Sequence, residues 1–294
     1  MKSLFSNKKT ISLLVIPGLA IMLFAIAIPV VISIVLGFVK WTGFGPMKFV
    51  GFDNYIRLMK DDLFWRSLYN VFLLILVTVF LQNVFAFFIA SLLTKFSEKT
   101  SRFLRTIYFI PSILSLVVVT KLWVSIFHPS YGFLNKIIRF FGFPDFGMAW
   151  LANPKTAIWA VIWIIIWQGF GWAVLFFYGG LMTVPKELEE AAVVDGAGPF
   201  QIQLHVVLPY MLPVIQSVII IDIISSLKQM EMIYLSTEGG PGGTTQFLAV
   251  YLYLRAFKYG EYGYGNSISV LFVILAVLAT ILIQRIFKKS LENY

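Results

Sequence analysis

The sequence predicts an all-α membrane protein of six spanning helices with one short polar helix between the fourth and fifth, and three observations predict it. The 294 residues are 59% hydrophobic and only 13% charged, whereas about a quarter of the residues of a soluble protein carry charge. Mean hydropathy is correspondingly high, at +0.87. The charges that do occur bound long uncharged runs, and one acidic island, 187–195, stands between two of those runs. No internal repeat or low-complexity stretch divides the chain, so 1–294 reads as one transmembrane domain without a soluble domain at either end.

A spanning helix needs about 20 apolar residues at 1.5 Å rise each, and the spans follow in order from that length. Lys9 and Lys40 enclose 30 uncharged residues, giving a first span at about 11–39. Lys8 and Lys9 precede it and Ala25-Ile26-Ala27 imitates a cleavage site, but the run continues far beyond a secretory apolar core, so it reads as uncleaved. Arg66 and Lys95 enclose 28, giving 67–94. Thr106 to Phe127 is interrupted only by Lys121, giving 104–127, with Lys121 near enough to the far interface to snorkel. Lys155 and Lys186 enclose 30, giving 156–184. His205 to about Ser236 carries Asp222 and ends at the polar Lys228 to Glu231, giving 205–235. Glu261 and Arg285 enclose 23, giving 264–285.

Six spans place both termini on one side, together with the loops at 95–105 and 185–205. Lys and Arg number eleven on that side and ten on the other, so the count alone decides little. The eleven, from Lys2 to Lys289, lie in shorter segments close to span ends, where the positive-inside bias acts. Both termini are therefore expected in the cytoplasm of a multi-pass plasma or inner membrane protein. Pro17, Pro29, Pro111, Pro209 and Pro213 each remove a backbone donor inside a span and tend to kink it. Proline is also common in membrane helices generally, so kinks for motion and kinks of no consequence are both open.

Composition excludes much chemistry. There is no cysteine, and His128 and His205 are the two histidines, so disulfides, thiolates and Cys/His zinc sites are ruled out. The net charge of +9 sits in single loop residues, without the basic stripe of a nucleic-acid binder.

The island between the fourth and fifth spans reads TVPKELEEAAVVDGAGPFQIQLH. Pro185 suits a first helical turn, and Glu187, Glu189 and Glu190 put negative charge where the helix end is positive. Leu188, Ala191 and Ala192 recur at i, i+3 and i+4 as a small apolar ridge. Gly196 and Gly198, followed by Pro199, then break the helix. A helix lying on the membrane surface favours Lys and Arg on its polar face; this one has one Lys against four acidic residues, which fits a protein partner better.

Glu190-Ala191-Ala192, three residues, Gly196, nine residues, Val206, one residue and Leu208-Pro209 resemble the EAA loop of ABC-importer permeases, with Val in place of the usual Ile. FVGFDNYIRLMKDDLFWRSLYNVF (Phe49 to Phe72) and STEGGPGGTTQFLAVYLYLRAF (Ser236 to Phe257) are similar to the first external loop and the Gly-Gly-Pro loop of the carbohydrate-uptake subfamily, which includes maltose, lactose and glycerol-phosphate permeases. The resemblance implies a type I importer permease with a cytoplasmic coupling helix in the loop 185–204. Its ATPase-coupling residues would be Glu190, Ala191, Ala192, Asp195 and Gly196. It further implies a second homologous permease, two cytoplasmic ATPase subunits, an extracellular or periplasmic solute-binding protein, and a sugar or oligosaccharide as cargo. The chain would then be a non-catalytic subunit with no cofactor of its own, ATP and Mg being held by the ATPases. Consistently, it lacks the Gly-x-x-x-x-Gly-Lys-Ser/Thr phosphate loop.

Polar and aromatic residues inside spans are site candidates. Gln168, Gly169 and Trp172 lie 13 to 17 residues from Lys155, and Asp222, Ser226 and Gln229 recur at i, i+4 and i+7. Carried over from the resemblance, these six are the expected sugar site: Trp172 for stacking, Gly169 for room, the others for hydroxyls. The same residues also read as interhelical glue, with Asp222 paired to Lys121. Asn70, Gln82 and Asn83 read as interhelical contacts, and Asp61-Asp62, which no second acidic cluster faces, as solvated loop. A self-contained secondary transporter or an intramembrane transferase is the alternative; the first needs internal symmetry and the second a paired acidic or metal site.

Overall fold

The computed structural model describes residues 8–291. Lys2, counted above with the first group of cations, lies outside them, as do the chain ends whose side the charge count addressed. Four helices are long and apolar enough to cross a membrane: Ile11–Leu36, Asp62–Leu93, Ala157–Leu181 and Tyr262–Lys288. The number becomes six if each of two bent pairs is one span: Glu98–Ile113 with Leu116–Ile126, and Pro199–Tyr210 with Leu212–Lys228. The chain divides into two compact units.

The smaller unit comprises residues 1–61 and 252–274. In the most apolar window of its first span, 0% of the residues are buried inside the chain. A two-residue hairpin, Val39–Lys40 against Lys48–Phe49, and a short helix, Asp53–Met59, follow. Asn54 is buried and donates to the carbonyls of Gly37 and Val39, each at 2.9 Å, fixing the turn out of the span. Asp61, expected as solvated loop, is instead drawn into an ionic network. It accepts from the Tyr264 hydroxyl at 2.9 Å and pairs with Arg255 at 3.4 Å, while Glu261 holds Arg57 at 2.9 Å.

The larger unit comprises residues 62–251 and 275–294, and the fourth span is its pillar. Its sequence is apolar on every face, as a helix enclosed by others must be, and 44% of its most apolar window is buried against 28% for the second span. Small residues let neighbours approach. Gly171 lies directly against the backbone of Tyr108 and Phe109, and a Cβ at Gly180 would meet the Met211 and Val214 side chains. Ala86, Ala90, Ala173, Val174, Phe177 and Met211 form the core between them.

The spans around this pillar are irregular. The second contains a π-helical segment, Val77–Gln82. The stretch expected as one span at 104–127 is two helices bent by 93°. Pro111 sits in the last turn of the first, and Leu114 and Ser115 are extended. The fifth bends by 67° at Met211, between Pro209 and Pro213, whose missing N–H groups weaken the helical ladder on both sides. Past the fifth span, Asn70 donates to the carbonyls of Thr244 (3.0 Å) and Gln246 (2.8 Å). The second span thereby holds the Gly-Gly-Pro loop, so Asn70, expected as an interhelical contact, instead joins a helix to a loop.

Candidate transport cavity and coupling helix

Three spans converge on one cavity of about 360 Å³, lined by both apolar and polar residues. The fourth supplies Gln168, Gly169 and Trp172; the fifth supplies Asp222, Ser225, Ser226 and Gln229; the second supplies Thr78 and Gln82. All six residues singled out for a sugar site thus line the same space. Helical spacing explains the gathering within each span, since residues four apart share a face. Only the packing of the three helices brings the faces together.

The side chains differ in how they are held. Asp222 is buried and accepts from Asn83 Nδ2 at 2.7 Å; no ion pair joins it to Lys121 among the described residues. Gln168 is tied to the broken third span. Its side chain donates to the Leu114 carbonyl at 3.3 Å, and its backbone carbonyl accepts from the Ser112 hydroxyl at 2.6 Å. The break exposes a carbonyl that a continuous helix would have used internally, and the amide takes it up. Trp172 packs against Phe176 with ring centroids 4.3 Å apart and also lines the cavity. Gln229 closes the fifth span in an extended conformation.

Gln82 was read from the sequence as an interhelical contact. The structure places it in the cavity wall, 5% exposed and with no hydrogen bond among the described residues. The signal was present in the spacing: Thr78 and Gln82 are four apart in an otherwise apolar run, the same pattern that marked the fifth span.

The coupling candidates lie on the helix Lys186–Val194. Glu190 and Ala191 are exposed and Ala192 half-buried, while Leu188, Val193 and Val194 also face outward. Asp195 caps the helix, and Gly196 follows with φ +84°. The Gly196 N–H donates to the Val193 carbonyl at 3.0 Å and the Ala197 N–H to the Ala192 carbonyl at 2.9 Å. This is the paired-bond helix ending that a left-handed residue makes possible. The chain then re-enters a helix at Pro199, where the Gly198 N–H donates to Gln201 Oε1 at 2.8 Å. An acidic nine-residue helix with an apolar ridge is thus held rigidly and left uncovered. Among the described residues no cluster of His, Cys, Asp or Glu fits a metal ion.

Comparison with known proteins finds a match over residues 82–293 to the family described as binding-protein-dependent transport system inner membrane component. The probable ABC transporter permease protein YurN of Bacillus subtilis is 30% identical over 98% of this chain and 99% of its own. The trehalose/maltose transport system permease protein MalF of Thermococcus litoralis is 31% identical over 93% of this chain and 92% of its own. Among solved structures, a bacterial alginate ABC transporter in complex with alginate pentasaccharide-bound periplasmic protein superposes with a TM-score of 0.82. It is 20% identical and covers 96% of this chain and 94% of that one, a likeness that establishes the fold.

Proposed function

Since the chain belongs to the family of binding-protein-dependent transport system inner membrane components, we propose that it is the transmembrane permease subunit of an ATP-driven importer for a sugar or oligosaccharide. The observation that carries this reading is the single cavity in which Gln168, Gly169, Trp172, Asp222, Ser226 and Gln229 meet. One indole for stacking and several amides and hydroxyls for hydrogen bonding are the groups a saccharide requires. The names of relatives that transport trehalose, maltose and other sugars support it, as does the alginate transporter that shares the fold.

In this reading the chain hydrolyses nothing. ATP and Mg belong to two cytoplasmic ATPase subunits, a second permease completes the pathway, and an external binding protein delivers the cargo. The helix Lys186–Val194 seats in the ATPase, with Glu190, Ala191, Ala192, Asp195 and Gly196 at the contact. A lever transmits force only if it is stiff, and the cap at Gly196 supplies the stiffness. Closure of the ATPase pair displaces this lever, and the irregular points around the cavity yield: the π-helical segment at 77–82, the break at 114–115 and the bend at Met211. Bends at such points are where helices change direction with least loss of packing. Both termini, in the plasma or inner membrane, face the ATPase side.

The native chain has no cysteine, so a single cysteine at residue 190 gives a clean test. It is expected to be labelled from the cytoplasm and to cross-link to an ATPase subunit, with ATP-dependent saccharide uptake in proteoliposomes of the whole complex. Labelling from the outer face alone, or the absence of any ATPase adduct, would overturn the reading.

A further inference from the structure

We infer that the cavity face built by this chain takes an uncharged saccharide, the unpartnered amide of Gln82 binding a sugar hydroxyl while Asp222 keeps anionic sugars out. The inference deepens the sugar-importer reading and rests on it.

Gln82 carries the first half. At 5% exposure, inside a span, it makes no hydrogen bond among the described residues. Its amide borders the cavity, where the polar group of a ligand can satisfy it. Neighbouring side chains decline to do so. Gly169 of the fourth span faces it, where an added Cβ would stand 3.7 Å from Gln82 Nε2 and 3.9 Å from Oε1. Glycine there leaves the amide open to the cavity, and any side chain would cover it. A carboxamide offers two donors and an acceptor, the complement of a hydroxyl that both gives and accepts. The adjacent Asn83 is not in the lining; its Nδ2 is committed to Asp222.

Charge carries the second half. None of the residues lining the cavity is Lys, Arg or His. Lys228, next to Gln229 in the chain, is exposed and not part of the lining. A uronate, sugar phosphate or sulfonate entering this space would leave water without meeting a cation, which is strongly unfavourable for a buried anion. Asp222 offers no remedy in either protonation state. Ionised, it repels an anion at short range; protonated, it is one more hydroxyl. A neutral saccharide, by contrast, finds hydroxyl and amide partners from all three helices.

The experiment compares maltotriose and cellotriose with trigalacturonate, an acidic trisaccharide of similar size, by saturation-transfer NMR on the assembled permease complex in lipid nanodiscs. Leaving out the binding protein removes its own selectivity. At least one neutral trisaccharide is expected to bind at least tenfold more tightly than the acidic one. Gln82→Leu should weaken that binding about tenfold, as loss of one hydrogen bond to a satisfied group does, and Gln82→Asn should recover part of it. Assembly is checked by size-exclusion elution; if the Leu variant does not assemble, the similarly shaped Gln82→Met, which cannot donate a hydrogen bond and is only a weak acceptor, replaces it with the same expected loss. Equal binding of trigalacturonate, or unchanged binding in the Gln82 variants, overturns the inference and leaves the importer reading intact. If no trisaccharide binds while the whole importer still takes up labelled saccharide, the inference fails on placement. If the whole importer takes up no saccharide at all, the sugar reading falls with it.

Discussion

Replacing Gly196 by alanine tests the lever directly, because a matched control lies two residues away. Gly196 has φ +84°, and an added Cβ there would meet nothing within 4 Å, so the whole cost is backbone conformation. An L-residue in the left-handed region costs about 1–2 kcal/mol. At about 1.4 kcal/mol per factor of ten, the equilibrium constant for the capped ending of the nine-residue helix falls by about 5- to 30-fold, and its population by up to that factor. Helices of this length are marginal without help from their ends. Docking that requires the formed helix weakens by the same factor, because apparent affinity scales with the competent fraction. Gly198, by contrast, has φ −74°, and its nearest prospective contact is Gln201 Oε1 at an ordinary 3.8 Å. Alanine there keeps an ordinary backbone conformation and should cost less, about 0.5–1 kcal/mol for replacing glycine at a helix N-cap. The assay is cross-linking of a cysteine at position 190 to the ATPase, together with ATP-driven uptake, in complexes matched for membrane insertion. Gly196→Ala should lower both several-fold, and Gly198→Ala should lower them less. Equal behaviour of the two variants would refute the claim that the cap at Gly196 sets the stiffness of the lever.

Combining Glu190→Ala with Gly196→Pro should abolish uptake and ATPase cross-linking while the protein still inserts, since proline can neither adopt this φ nor donate to Val193; uptake at the parental rate would contradict it. Trp172→Ala should raise the KM for saccharide about tenfold by removing a stacking face, with assembly unchanged on size-exclusion; identical uptake kinetics across a sugar panel would exclude Trp172 from the site. Asp222→Ala should destabilise the complex by about 1–2 kcal/mol, because Asn83 loses its partner inside the bundle. The fall in thermal midpoint in nanodiscs measures this, and Asp222→Asn should restore most of it. Gly171→Ala should reduce the yield of assembled protein sharply, since the new methyl group would collide with the Tyr108 backbone and overpacking of this kind costs about 1–3 kcal/mol or more. Normal yield and unfolding temperature would show that the third and fourth spans can separate.

The sequence by itself determined the long apolar helices and the short acidic helix between two of the apolar runs. In a bilayer every backbone polar group must be satisfied within its own helix, so an uncharged run of sufficient length has no alternative structure, and the acidic stretch between two such runs is forced outside. It also determined which residues share a face along one helix, as with Asp222, Ser226 and Gln229. Tertiary structure alone decided which faces meet. Gln82, legible only as one polar residue of the second span, joined the cavity because that span packs beside the fourth and fifth. Asp61 left the solvent because Arg255 and Tyr264, 194 and 203 positions away, came to it. Prolines announced that the third and fifth spans would bend, but not by 93° and 67°; at the break of the third span a distant partner, Gln168, donates to the Leu114 carbonyl that the break makes available. Periodicity reports orientation about one helix axis; the relative rotation of neighbouring helices is set by packing contacts between residues far apart in the chain, and no local pattern encodes it.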